Sequence, residues 1–241
     1  MRSRGSGRWL RRLVVTVIVL GVLAVAVDRA AEWAAENRLA TMAENQAAKY
    51  DVEATDTSVE VGGFGFLPQL AKEKFSSVTL TMKQPTFSND VAAQDLVVEM
   101  SGVHVPRALL EQKPGTAVTV DSTAMRVRLS PDELTKLAAS TTSIKGLSFR
   151  IVDGKLHARL SVGGLNTEVA VTPQVKGRRI ALGVDGMSDS IPSVVRNAVK
   201  SQLARGLAFP QLPFDAALKQ VSVEGDSLLL VATVADLKLT S

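Results

Sequence analysis

From Val78 to Val234 the apolar residues of this chain fall repeatedly on every second position. Val78, Leu80 and Met82 alternate with Thr79, Thr81 and Lys83, and Met125, Val127 and Leu129 alternate with Arg126 and Arg128. The same spacing returns at Val169 and Val171, at Ile180, Leu182 and Val184, at Val221 and Val223, and at Leu228, Leu230, Ala232 and Val234. A period of two puts one side of a strand against a core and the other in water. Leu147, Phe149 and Ile151 run into Asp153-Gly154, and Leu156, Ala158, Leu160 and Val162 follow. That is the pattern of a hairpin with a two-residue turn. About ten such strands imply a large, mostly antiparallel sheet.

One-sided strands need a cover, and three segments have helical character. Residues 28–49 are rich in Ala, Glu and Asn and contain no Gly or Pro, so they read as one helix or stalk running into the fold. Ser130-Pro131-Asp132-Glu133 supplies a capping serine, a first-turn proline and an acid at the capping-box position, and it opens a short helix through Ala139. A third helix runs from about Ser190 to Arg205 and stops at Gly206. Its stripe of Ile191, Val194, Val195, Ala198, Val199 and Leu203 is continuous and narrow. The expected fold class is therefore α+β: a long, curved, mostly antiparallel sheet wrapped around a helix, preceded by an N-terminal signal or anchor helix.

Basic residues precede an uncharged apolar run from Leu13 to Val27. At 15 residues it is long for a signal core and short for a span needing about 20. Ala24-Val25-Ala26 has the small-residue spacing that signal peptidase favours, and the helical pattern continues through Ala34. Residues 1–27 are thus a signal peptide, cleaved near Ala26, or an uncleaved membrane anchor. Either way the arginines keep the N-terminus in the cytoplasm and the body faces out. The expected division is 1–27 signal or anchor, 28–49 helix or stalk, and 50–241 a single α+β domain.

Six of the 28 basic residues lie in the first 29 positions, against one acid, Asp28. The rest of the chain is nearly balanced in charge, so the electrostatic case for nucleic-acid binding is missing. Cysteine is absent, which removes a lipoprotein acyl anchor, a disulfide framework and thiolate metal sites.

Catalytic patterns do not assemble. His104 and His157 each stand in strand-like sequence without a second ligand at metal spacing. Gly186-Met187-Ser188-Asp189-Ser190 lacks the last glycine of a nucleophile elbow. Gly62-Gly63-Phe64-Gly65 lacks the third glycine, the following helix and the Lys-Ser/Thr of a phosphate loop. The Arg126/Arg128 and Arg178/Arg179 pairs read as solvated strand and turn charges in preference to phosphate contacts. No enzyme, cofactor or metal is expected.

The residues that remain are apolar ones beside proline, in FGFLPQL (64–70) and FPQLPF (209–214). Proline is expected to keep both segments out of helices and central strands. Phe64, Phe66, Leu67, Leu70, Phe209, Leu212 and Phe214 then either plug the ends of the core or form an apolar mouth that touches a membrane or admits acyl chains. Val195 and Val199 of the third helix would complete that mouth. Burial of each methylene is worth roughly 0.8 kcal/mol, so part of one acyl chain outweighs any single polar contact.

The order of these segments resembles a known family. A signal or anchor and a helix precede VEVGGFGFLPQL (59–70), then comes SPDEL (130–134), then Leu212-Pro213-Phe214 leading into VSVEGDSLLL (221–230). This is similar to the LmeA-like phospholipid-binding proteins of actinobacterial envelopes, over about residues 28–240. The chain departs from the family at Ala71-Lys72-Glu73-Lys74-Phe75, where a glycine precedes the aromatic in relatives. The resemblance implies a tubular lipid-binding-like fold and a single lipid-binding domain. It also implies non-enzymatic binding or shuttling of glycerophospholipid, including inositol-bearing lipid, at the outer face of the cytoplasmic membrane in support of envelope or lipoglycan assembly. Phospholipid or the membrane surface is the expected partner, with an envelope-assembly protein as a further one. The alternative is a scaffolding envelope protein with a closed core that binds another protein.

Overall fold

The chain's period-two segments pair into two principal antiparallel sheets. The structure is a computed structural model that describes residues 6–87, 90–106, 108, 117–142, 146–162, 165–184, 193–234 and 237–240. The larger sheet orders β1 (Asp56–Gly62), β2 (Lys74–Lys83), β5 (Asp95–His104), β6 (Ala117–Leu129), β13 (Ser227–Val234) and β12 (Ala217–Glu224), with β14 (Lys238–Thr240) also on β6. The other orders β11 (Leu207–Ala208), β10 (Arg179–Val184), β9 (Leu165–Lys176), β8 (Lys155–Val162) and β7 (Ser148–Val152). A small pair, β3 (Thr86–Phe87) and β4 (Val91–Ala92), stands beside them. One of the large sheets curls strongly into a half-barrel, so the expected α+β class holds.

Alternation sets which side chains meet. Leu80, Val98, Met125, Val127 and Leu230 of the first sheet share one core with Leu156, Leu160, Ile180 and Leu182 of the second. Five positions from Leu80, Val98 and Met125 along their strands, Phe75, Val103 and Val120 belong to a second cluster. An odd offset would normally send these to the opposite face. Between the two sets lies Gly102, at φ +62°, where the ladder to both neighbours is interrupted and the strand reorients. The Asp153-Gly154 hairpin forms as expected, with both residues at positive φ and Val152 opposite Lys155.

Two helices pack against the sheets. α3 (Pro131–Thr141) is capped by the Ser130 hydroxyl, which accepts the Glu133 N–H at 3.2 Å. Glu133 does not close a reciprocal box. Its carboxylate instead accepts the Ala92 N–H at 3.0 Å and pairs with Lys136, tying the helix to β4. Leu134, Leu137 and Ala138 are fully buried, so this short helix contributes more to the core than its length suggested.

α4 (Ser193–Arg205) buries Val199 and Leu203 against β10, while Val194 is 79% exposed. Ile191 and the side chains of Val195 and Ala198 lie outside the described residues, as does the Gly186–Ser190 segment. Gly206 ends α4 at φ +78° with its N–H on the Leu203 carbonyl at 3.1 Å. The Arg179 guanidinium donates to the Arg205 and Gly206 carbonyls at 2.8 and 2.7 Å, so it serves as a helix cap.

The first helix, α1 (Ser6–Ala48), is unbroken over 43 residues. Its second half lies on the domain. Ala31 and Ala35 pack on the second cluster, and Ala40, Ala43 and Ala47 belong to the main one. The Glu36 carboxylate accepts the Val61 N–H at 2.8 Å, which closes part of the open edge of β1.

Candidate lipid-contact site

The sequence singled out two proline-flanked segments, and the structure treats them differently. Gly62 ends β1, and Gly63 and Gly65 take φ of +109° and +72° to turn the chain. A helix, α2 (Phe66–Ala71), follows at once. This corrects two expectations: proline does not keep FGFLPQL out of a helix, and the glycine loop does lead into one. Pro68 is the third residue of α2, where the N–H would have no partner inside the helix, so its absence costs little. The helix N-terminus is filled by the chain's own carboxylate. Asp28 Oδ2 accepts the Phe66 N–H at 3.0 Å and Oδ1 accepts the Leu67 N–H at 2.7 Å.

Gln69 fastens the segment from below. It is buried, donates to the Gly62 and Gly65 carbonyls at 3.2 Å each, and accepts the Ser76 N–H at 2.8 Å. Phe66 is buried against Phe75, ring centres 5.5 Å apart, and Leu70 packs at the edge of the same cluster. Phe64 is 95% exposed and Leu67 38%, so these two face outward. Glu73 closes the turn at φ +57°, a left-handed position that favours glycine.

The second segment is part of the interior. Phe209 is buried edge-on to Phe87 at 5.8 Å, and Leu212 and Pro213 are buried beside it. Phe214, half-buried at φ +58°, touches both apolar clusters and stacks obliquely on Tyr50 at 5.9 Å. Of the nine residues expected to form an apolar mouth, Phe66, Leu70 and Phe214 therefore meet in one cluster. Val199, Phe209 and Leu212 lie in the other, Phe64 and Leu67 reach solvent, and the Val195 side chain lies outside the described residues.

A cleft of about 510 Å³ opens elsewhere, where the two sheets approach without pairing. It falls within the range of small-molecule sites. Leu156, Val171 and Pro173 border it from the second sheet, and Val221 and Val223 from β12. The last rung between β8 and β9 is Leu156 opposite Val171, so β9 beyond Val171 pairs with β10 alone. Pro173 in that edge has no N–H to offer, and β12 is itself an edge strand. The two edges face each other unzipped, leaving half-buried valines between them. Strand periodicity alone gave no sign of this seam, because it joins residues about 50 positions apart. The proline inside the β9 strand pattern was the available signal.

The charged candidates are occupied. Arg126 makes a two-pronged pair with Glu99 at 2.7 and 2.8 Å, and Arg128 pairs with Asp95. Glu168 holds Arg150 and lies 3.1 Å from His157. The Arg150 hydrogen bonds hold its carboxyl below the usual range. His104 stands 3.7 Å from Asp121. Among the described residues no three metal-ligating side chains converge.

A sequence model of the LmeA-like phospholipid-binding family matches residues 26–233. No curated protein and no solved structure matches the chain. The match takes in α1 from Ala26 onward, the α2 turn, both sheets and the seam between them. With that coverage, the chain belongs to the LmeA-like phospholipid-binding family.

Proposed function

We propose that this protein binds glycerophospholipid without chemical turnover, with its body at the outer face of the cytoplasmic membrane, and takes up or hands on lipid during envelope or lipoglycan assembly. The observation that carries the reading is the seam between β9 and β12, where Pro173, Val221 and Val223 lie among the polar Lys155, Thr172 and Ser222, in a chain of a phospholipid-binding family. Half-buried Val221 and Val223 pack on the core from one side and border open space on the other. Each acyl methylene lodged there leaves water at a gain of roughly 0.8 kcal/mol. The N-terminal apolar run supports location at a membrane, as a signal or as an anchor.

The test is photocrosslinking of the full chain in vesicles containing a phospholipid with a photoreactive acyl chain. Labelled peptides should include Leu156, Val171, Val221 or Val223. Labelling confined to residues 14–27 would sink the reading. The burial of Phe209 and Leu212 favours a second one, a closed-core scaffold for another envelope protein. That reading gains if the seam stays unlabelled in a well-folded sample.

A further inference from the structure

Phe64 and Leu67, at the start of α2, are exposed, and they sit beside the end of the apolar run. Asp28 is the first residue after Val27, and its two oxygens hold the first two N–H groups of α2. We propose that Phe64 and Leu67 are a membrane-seating surface that enters the outer leaflet of the bilayer beside the emerging α1, with Asp28 locking tip and helix into one unit. This rests on the reading that the run from Leu13 to Val27 stays in the membrane.

Length argues for it. Fifteen helical residues rise roughly 22 Å, and the hydrocarbon core is about 30 Å thick. A short span thins the bilayer around it, and the surface then nearest the outer leaflet is Phe64, 95% exposed, with Leu67 next to it. Trp33, 69% exposed and six positions past Val27 on α1, stands at roughly headgroup height, where indole rings concentrate.

The charges at this level are already matched. Asp28 is held by two N–H groups, and Arg29 pairs with Glu32 at 2.6 Å. A carboxylate near hydrocarbon is costly unless it is hydrogen-bonded in this way.

The chain contains no cysteine, so single cysteines can carry a fluorophore. Full-length Leu20→Cys, Phe64→Cys and Asp226→Cys would be labelled in phosphatidylcholine/phosphatidylglycerol vesicles doped with acyl-nitroxide lipid. Asp226 lies in the turn before β13, at the opposite end of the large sheet from α2. The expected result is strong loss of fluorescence at 20 and 64 and none at 226.

Loss at 20 with a label at 64 open to aqueous iodide would overturn the seating surface and leave the anchor standing. A label at 64 shielded from both quenchers would point to a protein contact, such as a second copy, and overturn it as well. No loss at 20 removes the anchor and the proposal together, while seam crosslinking stands independently. Adding Asp28→Ala to the Phe64-labelled chain should weaken the loss at 64. Unchanged quenching there would overturn the lock.

Discussion

Pro68-Gln69-Leu70 lies in a six-residue helix where Leu67, and Phe64 just ahead of it, face outward, whereas Pro210-Gln211-Leu212 runs through irregular chain with Phe209 and Leu212 buried. The same tripeptide serves opposite ends because the backbone around it is satisfied differently. In the first segment, Asp28 supplies acceptors for the helix N-terminus and buried Gln69 makes three hydrogen bonds. In the second, Gln211 is exposed and, among the described residues, reaches Asp215 at 2.8 Å. Apolar residues near proline therefore do not declare their role by type. The long-range partner decides whether they plug a core or crown a surface.

The contrast can be broken most forcefully at the phenylalanines. Phe209→Ala should cost about 3–5 kcal/mol in denaturant unfolding, since it empties a buried site against Phe87. A loss under 1 kcal/mol would mean the second segment is no plug. Gly206→Ala, just ahead of that segment, should cost about 2 kcal/mol or more. The added Cβ needs φ +78° and would sit 2.8 Å from the Ile180 carbonyl oxygen; an unchanged midpoint would refute the cap.

Gln69→Ala should cost about 1–3 kcal/mol by stranding the Ser76 N–H, while Gln211→Ala should stay within about 0.5 kcal/mol. Equal losses would erase the distinction between the two glutamines. Phe64→Ala should be the smallest, within about 0.5 kcal/mol in detergent solution. Marked destabilisation would show that Phe64 is part of the fold after all.

The strands and the turn at Asp153-Gly154 were legible because alternation and turn chemistry are local. So was the stop at Gly206. α2 was not, because a proline beside two phenylalanines looks like a breaker until the first-turn exemption is applied. Its cap was invisible for another reason: Asp28 lies 38 positions upstream of Phe66, and no local pattern links them. Glu133 was misread in detail, since the capping-box spacing is local but the competing Ala92 N–H comes from a distant strand. The seam shares that difficulty. Val221 and Val223 each look like ordinary strand residues, and only the missing pairing between β9 and β12 leaves them beside open space.

One further consequence comes from the unbroken α1. Between Val27 and Ala48 it has neither glycine nor proline, and it is fastened to the body along its length. A leash of this kind has no slack. If the leader stays, the body is held at one height above the lipid, and the lipid exchange proposed above would have to happen there. If the leader is removed near Ala26, the body keeps Asp28 and its whole fold and is free to leave the membrane. The measured mass of the mature chain tells the two arrangements apart.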